Sequence, residues 1–107
     1  MYNEEIKFSG NLKEIKITPY TNKHGEQHSR VDMKLVSDER INQTLLLSAM
    51  GSMGDQIAAL NPQPGLCTIT AYLSFSTFMY NQRDCQEVRA WKYEVVINGQ
   101  LYVITKN

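Results

Sequence analysis

Apolar residues occupy alternate positions through most of the chain, and the places where that alternation slips or stops divide it into elements. Ile6, Phe8, Gly10 and Leu12 share even positions, whereas Ile15 and Ile17 share odd ones. Side chains alternate strictly across a strand. A change of phase near Lys13 and Glu14 therefore predicts one extra residue, a β-bulge that bends the strand and lets it serve two sheets. Gly10 in the same strand predicts close approach by another backbone. Pro19 and the polar run Thr21–Ser29, with Asn22 and Gly25, predict an exposed loop.

Alternation returns at Val31, Met33 and Leu35, which puts Arg30, Asp32 and Lys34 on the wet face of a second strand. After a polar turn over Ser37–Asn42, the run Thr44–Met50 predicts a third strand. Its consecutive Leu45, Leu46 and Leu47 predict cover on both faces and a central place in the sheet. Ser52 and Asp55 have the spacing of a capping pair. Met53, Ile57 and Leu60 then recur at helical spacing before Asn61-Pro62, so one short helix is expected. Cys67, Ile69, Ala71, Leu73 and Phe75 alternate with Thr68, Thr70, Tyr72 and Ser74 in a long fourth strand. A loop over Tyr80–Gln86 leads to a fifth strand, Val88–Ile97. Asn98-Gly99 between apolar runs is a strong hairpin signal and predicts a return strand, Gln100–Thr105.

Three strands, a helix and two strands, with a bent first strand, is the order of the OB-fold. The expected class is all-β with one short helix: a five-stranded Greek-key barrel carrying an additional C-terminal hairpin strand. Small SH3-like barrels and other sandwiches share the strand number.

Composition narrows the class. With 107 residues there is room for one domain, 1–107, and one core. A hydrophobic fraction of 42% with 21% charged residues of balanced sign is the composition of a folded domain. Eleven Lys and Arg against eleven Asp and Glu give a net charge of zero, which excludes coating of nucleic acid by bulk charge and leaves local charge as the issue. No run approaches the ~20 apolar residues of a membrane span, and Glu4 and Glu5 stand where a leader would be basic and apolar. A cytoplasmic protein without membrane contact is expected. Cys67 and Cys85 show neither CxxC spacing nor a disulfide framework, and nothing sets His24 or His28 beside them. Reduced thiols, no metal site and no cofactor follow.

Phe8-Ser9-Gly10-Asn11-Leu12 resembles the apolar-x-Gly-Asn-Leu opening of bacterial single-stranded DNA-binding proteins, with similar spacing to Tyr20, Gly25 and Val31–Leu35. Met50-Gly51, the short helix and Pro64-Gly65 resemble that family's aromatic-Gly helix and its entry to strand four. Ala71–Phe78 resembles its Gly-x-Leu-Arg-Thr-Arg-x-aromatic segment. The likeness spans roughly residues 5 to 97 by pattern more than identity. Several features depart from it: a short strand two to strand three connection, no aromatic at Asn42–Gln43, Met50 in place of Phe, and Ser74 and Ser76 at the Arg positions. A primosomal OB protein, or a phage or plasmid relative, matches about as well. The resemblance implies single-stranded DNA as ligand, a homodimer or homotetramer, and other replication proteins as partners.

Binding a single strand requires cations that track phosphates and flat side chains on which bases stack. Lys13, Lys16, Lys23, Arg30 and Lys34 all lie on the first two strands and their loop, interleaved with Glu14, Glu26 and Asp32, and no Lys or Arg lies between Ile41 and Tyr80. They form either a phosphate track or a solvated face. Phe78 matches the family's stacking position, with Tyr80 and Arg83 beside it. Tyr20 and Tyr72 are further candidates, Tyr72 being slightly better suited to barrel closure or a dimer interface than to DNA contact. Arg89 and Trp91 are candidate groove contacts, although Trp91 alternates with Tyr93, Val95 and Ile97 as a core stripe does. No catalytic residue is expected. His24 and His28 share one loop, and Ser9 and Ser52 lack the setting of a nucleophile. The competing expectation is an OB module, primosome-like or a mobile-element accessory, whose exposed aromatics dock another protein and touch DNA weakly or not at all.

Overall fold

The computed structural model describes residues 6–37 and 43–106. Six strands and one helix follow in the order β1 (Ile6–Thr21), β2 (Gln27–Val36), β3 (Thr44–Ala49), α1 (Gly51–Leu60), β4 (Cys67–Tyr80), β5 (Arg83–Ile97) and β6 (Gln100–Thr105). All pairings are antiparallel, and the strands form one open sheet in the order β3-β2-β1-β4-β5-β6. The chain is all-β with one short helix. β3 approaches β5 without a ladder between them.

β1 organises this sheet. Residues Ile6–Asn11 pair with β4 and Asn11–Thr21 pair with β2, with the register slipping between Leu12 and Glu14 so that Lys13 has no partner. The bulge stands where the apolar phase changes. Gly10 is needed at the bend: a Cβ there would lie 2.7 Å from the Val36 carbonyl oxygen. The inner face buries Leu12, Val31, Met33, Leu35, Leu47, Ile69, Ala71, Tyr93, Val95 and Ile104 against Met53 and Ile57 of the helix.

Four expectations are corrected. β3 lies at a sheet edge and not at its centre: Leu47 is buried, whereas Leu46, one residue away, is 72% exposed. The first loop is shorter than Thr21–Ser29, because the β1–β2 ladder runs through Pro19 opposite Ser29 to Thr21 opposite Gln27. The Asn22 carboxamide oxygen accepts from the His24 and Glu26 amides, both at 2.9 Å, and so closes the turn in five residues. The loop Tyr80–Gln86 is strand except for Asn81 and Gln82, whose φ angles of 52° and 61° make a tight two-residue turn. Ser52 and Asp55 form no cap. Met50 is the N-cap without a side-chain hydrogen bond, and the Tyr20 hydroxyl accepts from the Gly51 amide instead, at 3.0 Å. The hairpin turn at Asn98-Gly99 forms as expected. The polar turn beyond Ser37 and the segment holding Glu4 and Glu5 lie outside the described residues.

Tyr93 is 1% exposed, and its hydroxyl has no hydrogen-bond partner among the described residues. A buried hydroxyl without a partner costs roughly 1–3 kcal/mol, so Tyr93→Phe is expected to leave stability at pH 7 unchanged or raise it by about 1 kcal/mol. Burial pushes the Tyr93 phenol up to about 12. Above the ordinary tyrosine value the unfolded chain ionises and the folded one does not, so stability falls with rising pH until the folded value is reached. The loss is about 1.4 kcal/mol per pH unit. Urea unfolding of both proteins at pH 7 and pH 11 is expected to show a smaller alkaline loss in Tyr93→Phe.

Candidate nucleic-acid interface

Side chains on the outer face of β1, β2 and β3 fall into cross-strand rows. Thr18 and Arg30 form the first, Lys16, Asp32 and Ser48 the second, and Glu14, Lys34 and Leu46 the third. The second and third rows line a groove of about 390 Å³. Register thus brings three of the predicted cations, Lys16, Arg30 and Lys34, onto one face. Of the other two, Lys23 is exposed in the turn after β1 and Lys13 is exposed at the β1 bulge.

Asp32 sits at the centre of these rows. Its Oδ1 accepts a short hydrogen bond from the Ser48 hydroxyl and a second from Arg30 Nε at 3.1 Å. The Ser48 bond, opposed by desolvation and aided by Arg30 and Lys16, holds the carboxyl below its ordinary value. The face is therefore a lattice of alternating charge in which Arg30 and Lys16 are partly engaged.

The second cluster is an arm. From Ser74 to Arg89 the β4–β5 hairpin leaves the core, and nearly all its residues are exposed. The seven residues Ser74–Tyr80 span about 23 Å at the rise of an antiparallel strand. One face carries Phe78 opposite Cys85 and Tyr80 opposite Arg83 at the tip, with Ser74 opposite Arg89 nearer the root. Phe78 is 48% exposed and Tyr80 65%. Arg89 Nε donates to Glu87 at 2.9 Å. The opposite face carries Phe75, Val88 and Met79, also exposed.

At the root, a second bulge removes Trp91 from the phase of Tyr93 and Val95: Tyr72 pairs with Lys92 and Leu73 with Ala90, and Trp91 has no partner. Its indole is half exposed and lies 5.5 Å from the Tyr72 ring. Tyr72 is buried beneath it. Lys92 and Lys7 lie over the ring at 4.7 and 5.7 Å, and the hydroxyl donates a short hydrogen bond to Glu94. Trp91, Phe78 and Tyr80 are thus the exposed aromatics of this face, with Tyr72 as the support beneath Trp91. Sequence reasoning missed Lys7, Lys92, Asp32 and Ser48, whose placement depends on strand register.

Tyr20 belongs to neither cluster. Its hydroxyl is engaged by α1, and its ring lies 6.0 Å from His28. His28 Nδ1 donates to Asp55 at 2.6 Å, and the other Asp55 oxygen accepts from the Ser29 amide at 2.7 Å. The His28 bond, with desolvation opposing and Ser29 assisting, lowers the Asp55 carboxyl below its ordinary value. The pair ties β2 to α1. Asp55→Asn is expected to cost about 1 kcal/mol, the exposure of the pair reducing a charged hydrogen bond to that level. The difference should vanish as pH falls through the lowered Asp55 value, because the native carboxyl is then protonated too. Urea unfolding at pH 7 and along a series of falling pH below the ordinary carboxylate value checks both points.

Among the described residues no three His, Cys, Asp or Glu side chains gather as a metal site, and no helix is long and apolar enough to cross a membrane. Both cysteines are free thiols, Cys67 buried and Cys85 partly exposed. Compared with profiles of known protein families and with curated proteins, the sequence matches none.

Proposed function

We propose that this chain is a non-enzymatic OB-fold protein that binds single-stranded DNA in replication, recombination or repair, as a homodimer or homotetramer. The observation that carries the reading is the arm. Phe78 and Tyr80 stand exposed on one face of a hairpin outside the core, with Arg83 beside them and Trp91 at its root. Exposed flat side chains with a cation at hand are what stacking on unpaired bases requires. The groove holding Lys16 and Lys34 supplies the phosphate contacts. The OB assignment draws support from β1 dividing its pairing between β2 and β4, from the helix between β3 and β4, and from β3 lying near β5. Those are the parts of a five-stranded barrel short of its closing ladder.

One observation favours the docking reading instead. β6 is an edge strand without a charged residue, and Leu101 and Val103 on its outer face are more than half exposed. Such an edge suits a protein partner.

Titration against single-stranded oligonucleotides of graded length, with duplex as control and Trp91 fluorescence as signal, separates the two. Length-dependent, duplex-excluding binding with quenching is expected. Each neutralised phosphate on a single strand contributes about −0.7 to the log–log salt slope, so Lys16, Lys23, Arg30, Lys34, Arg83 and Arg89 set a limit near −4. Absence of binding at low salt would favour docking, and a slope of many units would overturn the dominance of stacking.

A further inference from the structure

The groove across β1, β2 and β3 holds two carboxylates that phosphate binding does not use, Glu14 and Asp32. Asp32 faces Lys16 on one side and Ser48 on the other. Both hydrogen bonds to its carboxylate, from Ser48 and Arg30, end on Oδ1. Oδ2 therefore accepts nothing among the described residues, on a carboxylate already fixed in orientation. Beside it lies a space of about 390 Å³, within the range of small-molecule sites. An acceptor of fixed direction, in a groove of that size, between lysines that attract a phosphate backbone, is arranged to receive a hydrogen-bond donor from the strand itself.

We propose that Asp32 reads the exocyclic amino group of one unstacked base, so that the groove selects an amino-bearing base over thymine or uracil. The inference rests on the single-stranded nucleic-acid reading above. Cytosine N4 and adenine N6 carry protons for Oδ2, and guanine offers its N2 amino group. Thymine presents a carbonyl oxygen, O4, where cytosine has its amino group, and that oxygen meets the carboxylate as acceptor against acceptor. Lys16 and Lys34, in adjacent rows, are placed for the flanking phosphates, and the exposed Leu46 offers apolar surface to the base. An aspartate carboxylate is ionised at neutral pH, and the Ser48 bond lowers its value further, so the preference holds across the physiological range.

The test compares affinities for oligo(dC) and oligo(dT) of one length, two pyrimidines of similar stacking area, at one salt concentration. The wild-type protein is expected to favour oligo(dC) by about fivefold or more, the discrimination that base-edge contacts provide. Asp32→Asn offers a donor as well as an acceptor and is expected to bring the ratio within about twofold of unity. Ser48→Ala leaves the carboxylate held by Arg30 and is expected to keep the preference. Loss of a merely structural aspartate would move both affinities together and leave their ratio alone. Equal or thymine-favouring affinity in the wild-type protein overturns the inference whether or not a variant folds, and so does a ratio unchanged in Asp32→Asn. Failure to bind either oligonucleotide overturns the underlying reading instead.

Discussion

Phe78→Ala and Tyr80→Ala are each expected to weaken single-stranded oligonucleotide binding by roughly 5- to 100-fold, the cost of removing one stacking surface at about 1–3 kcal/mol per base. Both residues lie beyond the core on the arm, so thermal unfolding should stay within about 2 °C of the wild-type protein, as expected for exposed side chains. Met79→Ala is the internal control. It changes the same hairpin tip on the opposite face, where 72% of the side chain is exposed, and is expected to leave affinity within about twofold. Fluorescence titration of the three folded variants gives the answer. Unaltered affinity in Phe78→Ala and Tyr80→Ala would remove the arm from the binding surface and leave its aromatics to a protein partner.

Gly54→Ala is expected to destabilise the fold by about 2–3 kcal/mol, against the direction of helix propensity. In a solvent-exposed helix interior the same change gains about 1 kcal/mol. Here a Cβ on Gly54 would fall 2.1 Å from the Ser29 carbonyl oxygen and 2.8 Å from that of Ala49, and both are backbone atoms that cannot rotate away. α1 would have to lift from β2 by more than an ångström, loosening Met53 and Ile57 in the core and stretching the Asp55 bonds to His28 and the Ser29 amide. Overpacking of this kind costs roughly 1–3 kcal/mol and occasionally more. For a domain of this size the melting temperature should drop by about 10–20 °C. Ala59→Gly, on the exposed side of the same helix, is expected to cost only about 1 kcal/mol. A Gly54→Ala protein as stable as the wild type would mean that the helix does not sit this close to β2.

Features written into short stretches of chain were legible from sequence. The phase change between Leu12 and Ile15 located the β1 bulge, Gly10 marked the close backbone approach, and Asn98-Gly99 located the last hairpin, because each depends on neighbours a few residues apart. The edge position of β3 was not legible, since three consecutive leucines cannot reveal that Leu46 points away from the sheet while Leu47 is buried. The tip of the arm reads as a loop over Tyr80–Gln86 because Asn81 and Gln82 adopt left-handed backbone without the glycine that usually announces such a turn. Trp91 was read in phase with Tyr93 and Val95, and only the second bulge takes it out of phase. Among the candidate site residues, Lys16, Arg30, Lys34, Phe78, Tyr80 and Trp91 fall on exposed faces as their types suggested. Tyr20 and Tyr72 are engaged within the fold. Asp32 was read only as a charge interrupting the cations, because its union with Ser48 depends on a register that no single strand carries.

β1 also sets an order of events for a chain emerging from a ribosome. Its C-terminal half meets β2 almost as soon as both exist, across a five-residue turn, and β3 can join that meander directly. Its N-terminal half must wait. Ser9 finds Thr70, with which it shares a 2.7 Å hydroxyl contact, only across 61 residues of sequence. Closing so long a loop is slow because its entropy is lost before the contacts repay it. Ile6–Gly10, synthesised before β4, is therefore among the last segments of the sheet to be secured, and until β4 arrives it is a strand without its ladder, open to chaperones and proteases.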